Sequence, residues 1–180
     1  MLFTHDTEEA LAAVVDLVNS DSADNDTLTD VEALNALVAR HGWTGRHDRT
    51  EAELQEVRAL RQRLRPFWDA DESGVVEIAN ELLRESSALP QLVRHGAEPY
   101  HLHATTPDAP LAVRMAVEAA LAFADVVRAG ELDRLRICAY PTCGDVLVDL
   151  SKNRSKRFCD EICGNRAAVN AYRSRKAAKT

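Results

Sequence analysis

All four cysteines of this 180-residue chain lie between residues 138 and 163, in the order Cys138-x4-Cys143-x15-Cys159-x3-Cys163. The 137 residues before them contain none. Tetrahedral zinc needs four ligands that converge on one point, and a short spacing lets each pair chelate from one turn. Two disulfides are the alternative reading. The N-terminus, MLFTHDTEEA, meets acidic residues at once and has no basic start, so no secretory signal is expected. In a cytoplasmic setting the thiols stay reduced, and reduced, paired cysteines point to metal. A catalytic zinc keeps one position open, whereas four thiolates close the sphere. One structural Zn2+ is therefore expected, held by Cys138, Cys143, Cys159 and Cys163.

The residues between the ligands suggest how the metal is framed. Pro141 and Gly144 bend the chain around the first pair. Residues 145–150, DVLVDL, alternate like a short strand, and Lys152-Asn153-Arg154-Ser155 reads as a turn. Lys156-Arg157-Phe158 is expected to return as a second strand into Cys159, before a helix from Gly164 to about Ala178. A knuckle, a hairpin and a helix make a treble-clef-like finger. So small a unit buries little core, so the metal should supply much of its folding energy. The rest of the chain is expected to stay folded without it.

Charge divides the chain at the same place. Residues 1–133 carry 11 basic and 25 acidic residues, a formal charge of −14, while residues 134–180 carry 11 and 4, a charge of +7. Such asymmetry suggests two modules with different partners, 1–133 and 134–180. Lys152, Arg154, Lys156 and Arg157 fall on the expected hairpin, and Arg166, Asn170 and Arg173 on one helical stripe. Arg175, Lys176 and Lys179 extend the charge. Charge runs of this kind are commonly just solvated. Here the charge sits on a rigid, metal-held frame and opposes the sign of the rest, which favours nucleic acid. Lys and Arg neutralise phosphates; Asn153, Asn165 and Asn170 add polar groups, and Asn165 or Asn170 can reach a base edge or a phosphate.

The first 133 residues read as a helix-rich α+β body. Leu11, Val14, Val15 and Val18 recur at helical spacing. The stretch DSADNDTLTD reads as an exposed acidic loop; Asp21, Asp24 and Asp26 lack the glycine and distal glutamate of a calcium loop. Thr29 or Asp30 is expected to cap a helix ended by Gly42. Thr50 and Glu53 form a capping-box pattern, Pro66 should bend or stop that helix, and Ser73 opens the next. Residues 89–104 suggest a β-hairpin punctuated by Gly96 and Pro99. His101 and His103 would share one face of it, and with His95 they could hold a metal, although a hydrogen-bonded face is the ordinary reading. Trp43 and Trp68 read as core or edge packing, with stacking on a ligand as the alternative. The strongest helix begins at Leu111 and ends at Gly130. Leu132, Leu135 and Ile137 then form an apolar seam rather than a linker, so the finger is expected to dock on the body. No apolar run approaches the length of a membrane span. The chain has no P-loop, GxGxxG or GxSxG, and no enzymatic activity is expected.

The run Cys163-Gly164-Asn165-Arg166, preceded by SKNRSKRFC, resembles the CGNR zinc finger family of bacterial proteins. In that family the finger follows a domain called ABATE, and Val15-Asp16-Leu17-Val18-Asn19, the helical order and the entry through LDRLRIC are similar to it. The family pattern often has Trp and Ser around the third cysteine. Phe158 and Asp160-Glu161 stand here instead, adding negative charge beside the expected binding face. The resemblance implies a stress-induced transcription regulator: a DNA-binding finger joined to a domain that senses a small molecule or protein partner. The alternative is a finger that binds protein or RNA without reading DNA sequence.

Overall fold

The computed structural model describes residues 2–22, 25–94 and 100–177. Helix α5 (Leu111–Arg128) is the axis of the body. Its alanines at 116, 119, 120 and 122 are buried, and their small side chains let neighbouring helices approach closely. Around it lie α1 (His5–Asn19), α3 (Glu51–Leu64) and α4 (Glu72–Glu85), with α2 (Val31–Arg40) against α3. Phe123 stacks on Phe67 with centroids 3.8 Å apart and takes Trp68 edge-on at 5.4 Å. Both partners come from a 3-10 turn, Arg65–Trp68, that Pro66 imposes at the end of α3.

The caps follow local chemistry. Asp30 accepts from Ala33 N at 2.8 Å and Thr50 from Glu53 N at 3.2 Å. Glu53 reaches back to the amides of Asp48 and Arg49, at 3.0 and 2.8 Å. Asp71, not Ser73, caps α4, accepting from Gly74 N at 2.9 Å. Gly42, with φ +62°, ends α2 in the left-handed region that glycine tolerates best.

Three two-stranded antiparallel ribbons complete the described residues. The first, β1 (Asp21–Ser22) with β2 (Asn25–Asp26), replaces the expected open acidic loop. Its Asp26 receives Arg61 at 2.8 Å and Arg58 at 2.7 Å. The Arg61 hydrogen bond holds that carboxyl down at about 2. Asp24 lies outside the described residues. The second, β3 (Gln91–Val93) with β4 (His101–His103), is the expected hairpin, with Leu92 opposite Leu102. Gly96, Pro99 and His95 lie outside the described residues.

The third ribbon departs from expectation. β6 (Val146–Val148) pairs with β5 (Leu135–Ile137), not with residues 156–158, which are irregular. The groups that a strand at 156–158 would offer are already engaged: Lys156 N donates to Asp149 at 2.9 Å, and Lys156 O accepts from Arg136 at 3.0 Å. Nor does β6 alternate between core and solvent. Val146, Leu147 and Val148 are all buried. Val146 and Val148 join the helical core, while Leu147 faces the cysteines. Leu132 and Leu135 pack on the body as expected, but Ile137 is 43% exposed.

Helix α6 (Glu161–Ala177) closes the chain, with Cys163 its one buried residue. No described helix is long and apolar enough to cross a membrane.

The free edge of β6 is finished by a side chain. Asn19, at the end of α1, donates to Val146 O at 2.9 Å and accepts from Val146 N at 2.8 Å. Trp68 Nε1 donates to Leu147 O at 2.9 Å. Asn19→Ala leaves two strand groups without partners, so a loss of roughly 1–3 kcal/mol is expected in denaturant unfolding. An unchanged midpoint would mean that this edge contributes nothing to docking.

Candidate metal centre and nucleic-acid interface

Cys138 and Cys143 lie in the loop between β5 and β6. Cys138 N donates to Asp145 O at 2.8 Å and Cys143 N to Tyr140 O at 2.9 Å, which folds the loop into a tight knuckle. Cys159 precedes α6 and Cys163 sits in its first turn. Asp160 caps that turn, accepting from Cys163 N at 2.7 Å. The negative charge expected beside the binding face thus acts structurally. It fixes the backbone of the fourth ligand and favours the positive end of the helix dipole. Leu147, Phe158 and Tyr140 pack around the sulfurs.

The sulfur atoms lie within 4.8 Å of one another, and Cys143 and Cys159 are 3.7 Å apart. Tetrahedral zinc with Zn–S bonds of about 2.3 Å sets its sulfurs about 3.8 Å apart, so the set fits the ion. A disulfide needs about 2.05 Å, and all four cysteines are free. Burial, with further upward pushes from Cys138 and Cys143, raises the thiols of Cys159 and Cys163, the latter to about 12. Cys143 is raised as well, first by burial. Cys138 alone is lowered, its burial outweighed by hydrogen bonds from its neighbours, so the four thiols cannot all ionise side by side on their own. A divalent cation compensates their charge, and its binding releases protons. The cluster is a site for one structural zinc ion, with all four positions taken by protein.

The expected nucleic-acid contacts divide into two groups. Lys152, Asn153, Lys156, Arg157, Asn165, Arg166, Asn170, Arg173, Arg175 and Lys176 are all exposed. Arg154 is exposed too, but its guanidinium pairs with Glu131 at 2.9 Å and its φ is +50°. A phosphate there would have to displace that pair. Lys179 lies outside the described residues. Gly164 needs no special conformation: an added Cβ would meet Phe158 at 3.6 Å, an ordinary contact.

Residue-type reasoning missed what holds this loop. Asp149 is fully buried. It accepts from Ser151 N at 3.0 Å and Lys156 N at 2.9 Å, and it pairs with Arg136 at 2.9 Å. Arg134, also buried, joins Glu131 at 2.6 Å to the carbonyls of Asp149 and Ser151. The Asp-x-Ser spacing of 149–151 is the signal that could have revealed an Asx-type turn here.

A second concavity lies far from the cysteines, in the body. It encloses about 390 Å³ between the start of α1, residues 41–44, the β3–β4 hairpin and α5. His101 and His103 share its wall as expected, their Nε2 atoms 3.0 Å apart. Gly45 (φ +86°) lets the chain pass the Arg114 guanidinium; a Cβ there would lie 2.6 Å from Pro107 O.

Cys159→Ser is expected to lower bound zinc well below one per chain and to open residues 138–163 to protease, as chelation does. Atomic absorption and limited proteolysis read both. A full equivalent of zinc in the variant, or protease resistance without metal, would contradict the structural site.

Comparison with known families gives two matches. Residues 134–176 match the CGNR zinc finger. Residues 11–130 match ABATE, described as "Putative stress-induced transcription regulator". No curated protein matches the chain. The matched span covers most of the chain, which therefore belongs to the ABATE family and carries a CGNR zinc finger behind that domain.

Proposed function

We propose that this protein is a non-enzymatic regulator of transcription whose zinc finger binds duplex DNA and whose acidic body receives a regulatory ligand or partner. A bacterial cytoplasm and a stress response are the setting this reading implies. The single observation that carries it is the charge reversal: an acidic body bearing a finger of charge +7, in a family described as a transcription regulator. Lys152, Lys156, Arg157 and Arg166 are exposed around one metal-held frame, the arrangement that tracks a phosphate backbone. Asn165 and Asn170 are exposed on α6 and supply amide groups of the kind that pair with base edges. Arg173, Arg175 and Lys176 continue the positive charge along the helix.

The two ends are physically joined. Helix α1 carries Asp6 and Glu9 at the body's cavity and Asn19 at the finger's strand. Helix α5 carries Arg114 and Glu118 at the cavity and runs on through Gly130 into β5. Thr7 ties the two helices, donating to Asp125 at 2.8 Å. A ligand that shifts either helix would reach the finger through packed elements.

One observation favours a second reading. Ile162, Val169 and Tyr172 leave large apolar surface exposed on α6, at 59, 47 and 62%. A finger that docks on protein or RNA would use it.

Salt titration separates the two. Contact with about four phosphates gives a slope of log K against log salt near −3.6, at roughly −0.9 per phosphate. Arg166→Ala should flatten it by about one unit if Arg166 meets a phosphate. If it reads a guanine edge, the loss is about 1–3 kcal/mol and confined to particular sequences. Zinc content measured on the same variant excludes an indirect effect. Unchanged duplex binding after joint replacement of Lys152, Lys156, Arg157 and Arg166 would refute the DNA reading. Binding to RNA or protein that survives high salt would favour the second.

A further inference from the structure

The cavity in the body has a definite chemical character. Its volume of about 390 Å³ suits a small organic molecule. Three carboxylates line it: Asp6 and Glu9 at the rim on α1, and Glu118 deeper on α5. Its one guanidinium, Arg114, is already committed, donating to the main-chain carbonyls of Ala109, Thr44 and Arg46. That guanidinium anchors the loop at 44–46 and has little left to offer an anion. The imidazoles are occupied as well: His41 meets Asp16 at 3.0 Å, and His101 and His103 meet each other. Glu118, by contrast, makes no hydrogen bond or ion pair with any described residue, although Arg114 lies one turn before it. Trp43, Ala10, Ala13 and Val93 supply apolar wall.

We infer that this cavity binds a small organic cation, an alkyl or aryl amine or guanidine, with Glu118 as the recognising carboxylate and Trp43 as part of the apolar wall. The inference rests on the reading of the body as the receiving domain and gives that domain a ligand class. A half-buried carboxylate with no partner among the described residues is relieved best by a cationic donor. An aromatic wall adds to a cation's affinity and little to an anion's. A metal ion is a poorer fit. Among the described residues only the four cysteines bring three or more ligand atoms together.

The state of Glu118 gives the binding a pH signature. Burial pushes its carboxyl up to about 7, against the downward pull of Arg114 and then His101 and with a small upward push from Asp6. His103, His41 and Glu9 also face the cavity. An ammonium favours the ionised form and must displace the proton that Glu118 holds at lower pH. Affinity should therefore rise as pH climbs through about 7 and level off once Glu118 is ionised in the free protein. Binding near that pH should release a fraction of a proton.

The test uses the zinc-loaded full chain and three probes of one shape: benzylamine, benzyl alcohol and benzoate. Calorimetry in buffers of differing ionisation enthalpy reads affinity and proton release together. Benzylamine should bind at least about tenfold more tightly than either isostere, the scale expected of one charge-assisted contact. Glu118→Gln should abolish that preference and the proton release while zinc content and the melting temperature hold. Should Glu118→Gln fold poorly, Glu118→Asp, which keeps the charge, should retain the preference for the amine. Benzoate binding as tightly as benzylamine, no binding of benzylamine, or an unchanged preference in Glu118→Gln would overturn the assignment. Duplex DNA titrated into the same sample reports on the finger separately. DNA binding that persists while benzylamine fails defeats the cavity assignment alone, and loss of DNA binding with benzylamine retained defeats the finger's role alone.

Discussion

Strand β6 is buried on both faces, and both halves of the protein are built against it. Val146 and Val148 lie in the helical core, and Leu147, between them, is fully buried beneath the cysteines. Burying each such side chain contributes roughly 1.5–3 kcal/mol. Three residues thus serve two cores at once, and neither core is complete without them. The polar requirements of the strand are met from both sides as well: β5 on one edge, the Asn19 amide on the other, and the Trp68 indole on Leu147. The finger is not tethered to the body by a linker. It is a wall of it.

This arrangement explains why buried charge is tolerated beside the metal site. Asp149 follows β6 directly and is inaccessible to solvent, yet Ser151, Lys156 and Arg136 surround its carboxylate. Burial pushes its pKa up, but those hydrogen bonds outweigh it and hold the group ionised. Removing one partner would leave a charge uncompensated, which costs far more than the pair itself stabilises. The 149–158 loop therefore has a fixed shape without belonging to a sheet. Its exposed cations are presented from a frame, and the zinc fixes both ends of that frame through Cys143 and Cys159.

Much of this was legible in the residues. The cysteine spacing, together with the expectation of reduced thiols, implied the metal, because tetrahedral zinc imposes a ligand count that few other roles share. The caps at Asp30 and Thr50 and the stop at Pro66 followed from local chemistry, which depends on neighbours in sequence. The pairing of β6 did not. Residues 156–158 and 135–137 are both plausible partners, and the choice is made by Asp149 and Arg136 drawing off backbone groups through contacts between side chains distant in sequence. The alternation at 145–150 misled for a related reason: a strand between two cores has no solvent face, so Leu147 is as buried as its neighbours. Arg154 looked like one cation among several until Glu131, more than twenty positions away, was seen to hold it. Glu118 gave no sign in the sequence, since a glutamate within an apolar helix reads as its outward face. Only the folding of α1, residues 41–44 and β4 around it makes a cavity. The helices thus followed from sequence, and the sites between helices did not.

The central claim is that zinc, finger and helical body form one cooperative unit through β6. A body that kept its structure without zinc, as the cysteine-free composition of residues 1–133 suggests, would be at odds with that packing. Hydrogen exchange followed by NMR on the zinc-bound and chelated protein tests it most directly, at the Trp68 indole and the Val146 and Leu147 amides. The shared strand predicts that chelation accelerates exchange at all three together and also lowers protection at the α1 end that carries Asn19. Full protection of the Trp68 indole in metal-free protein, with only α6 and the cysteine loops exchanging freely, would contradict it.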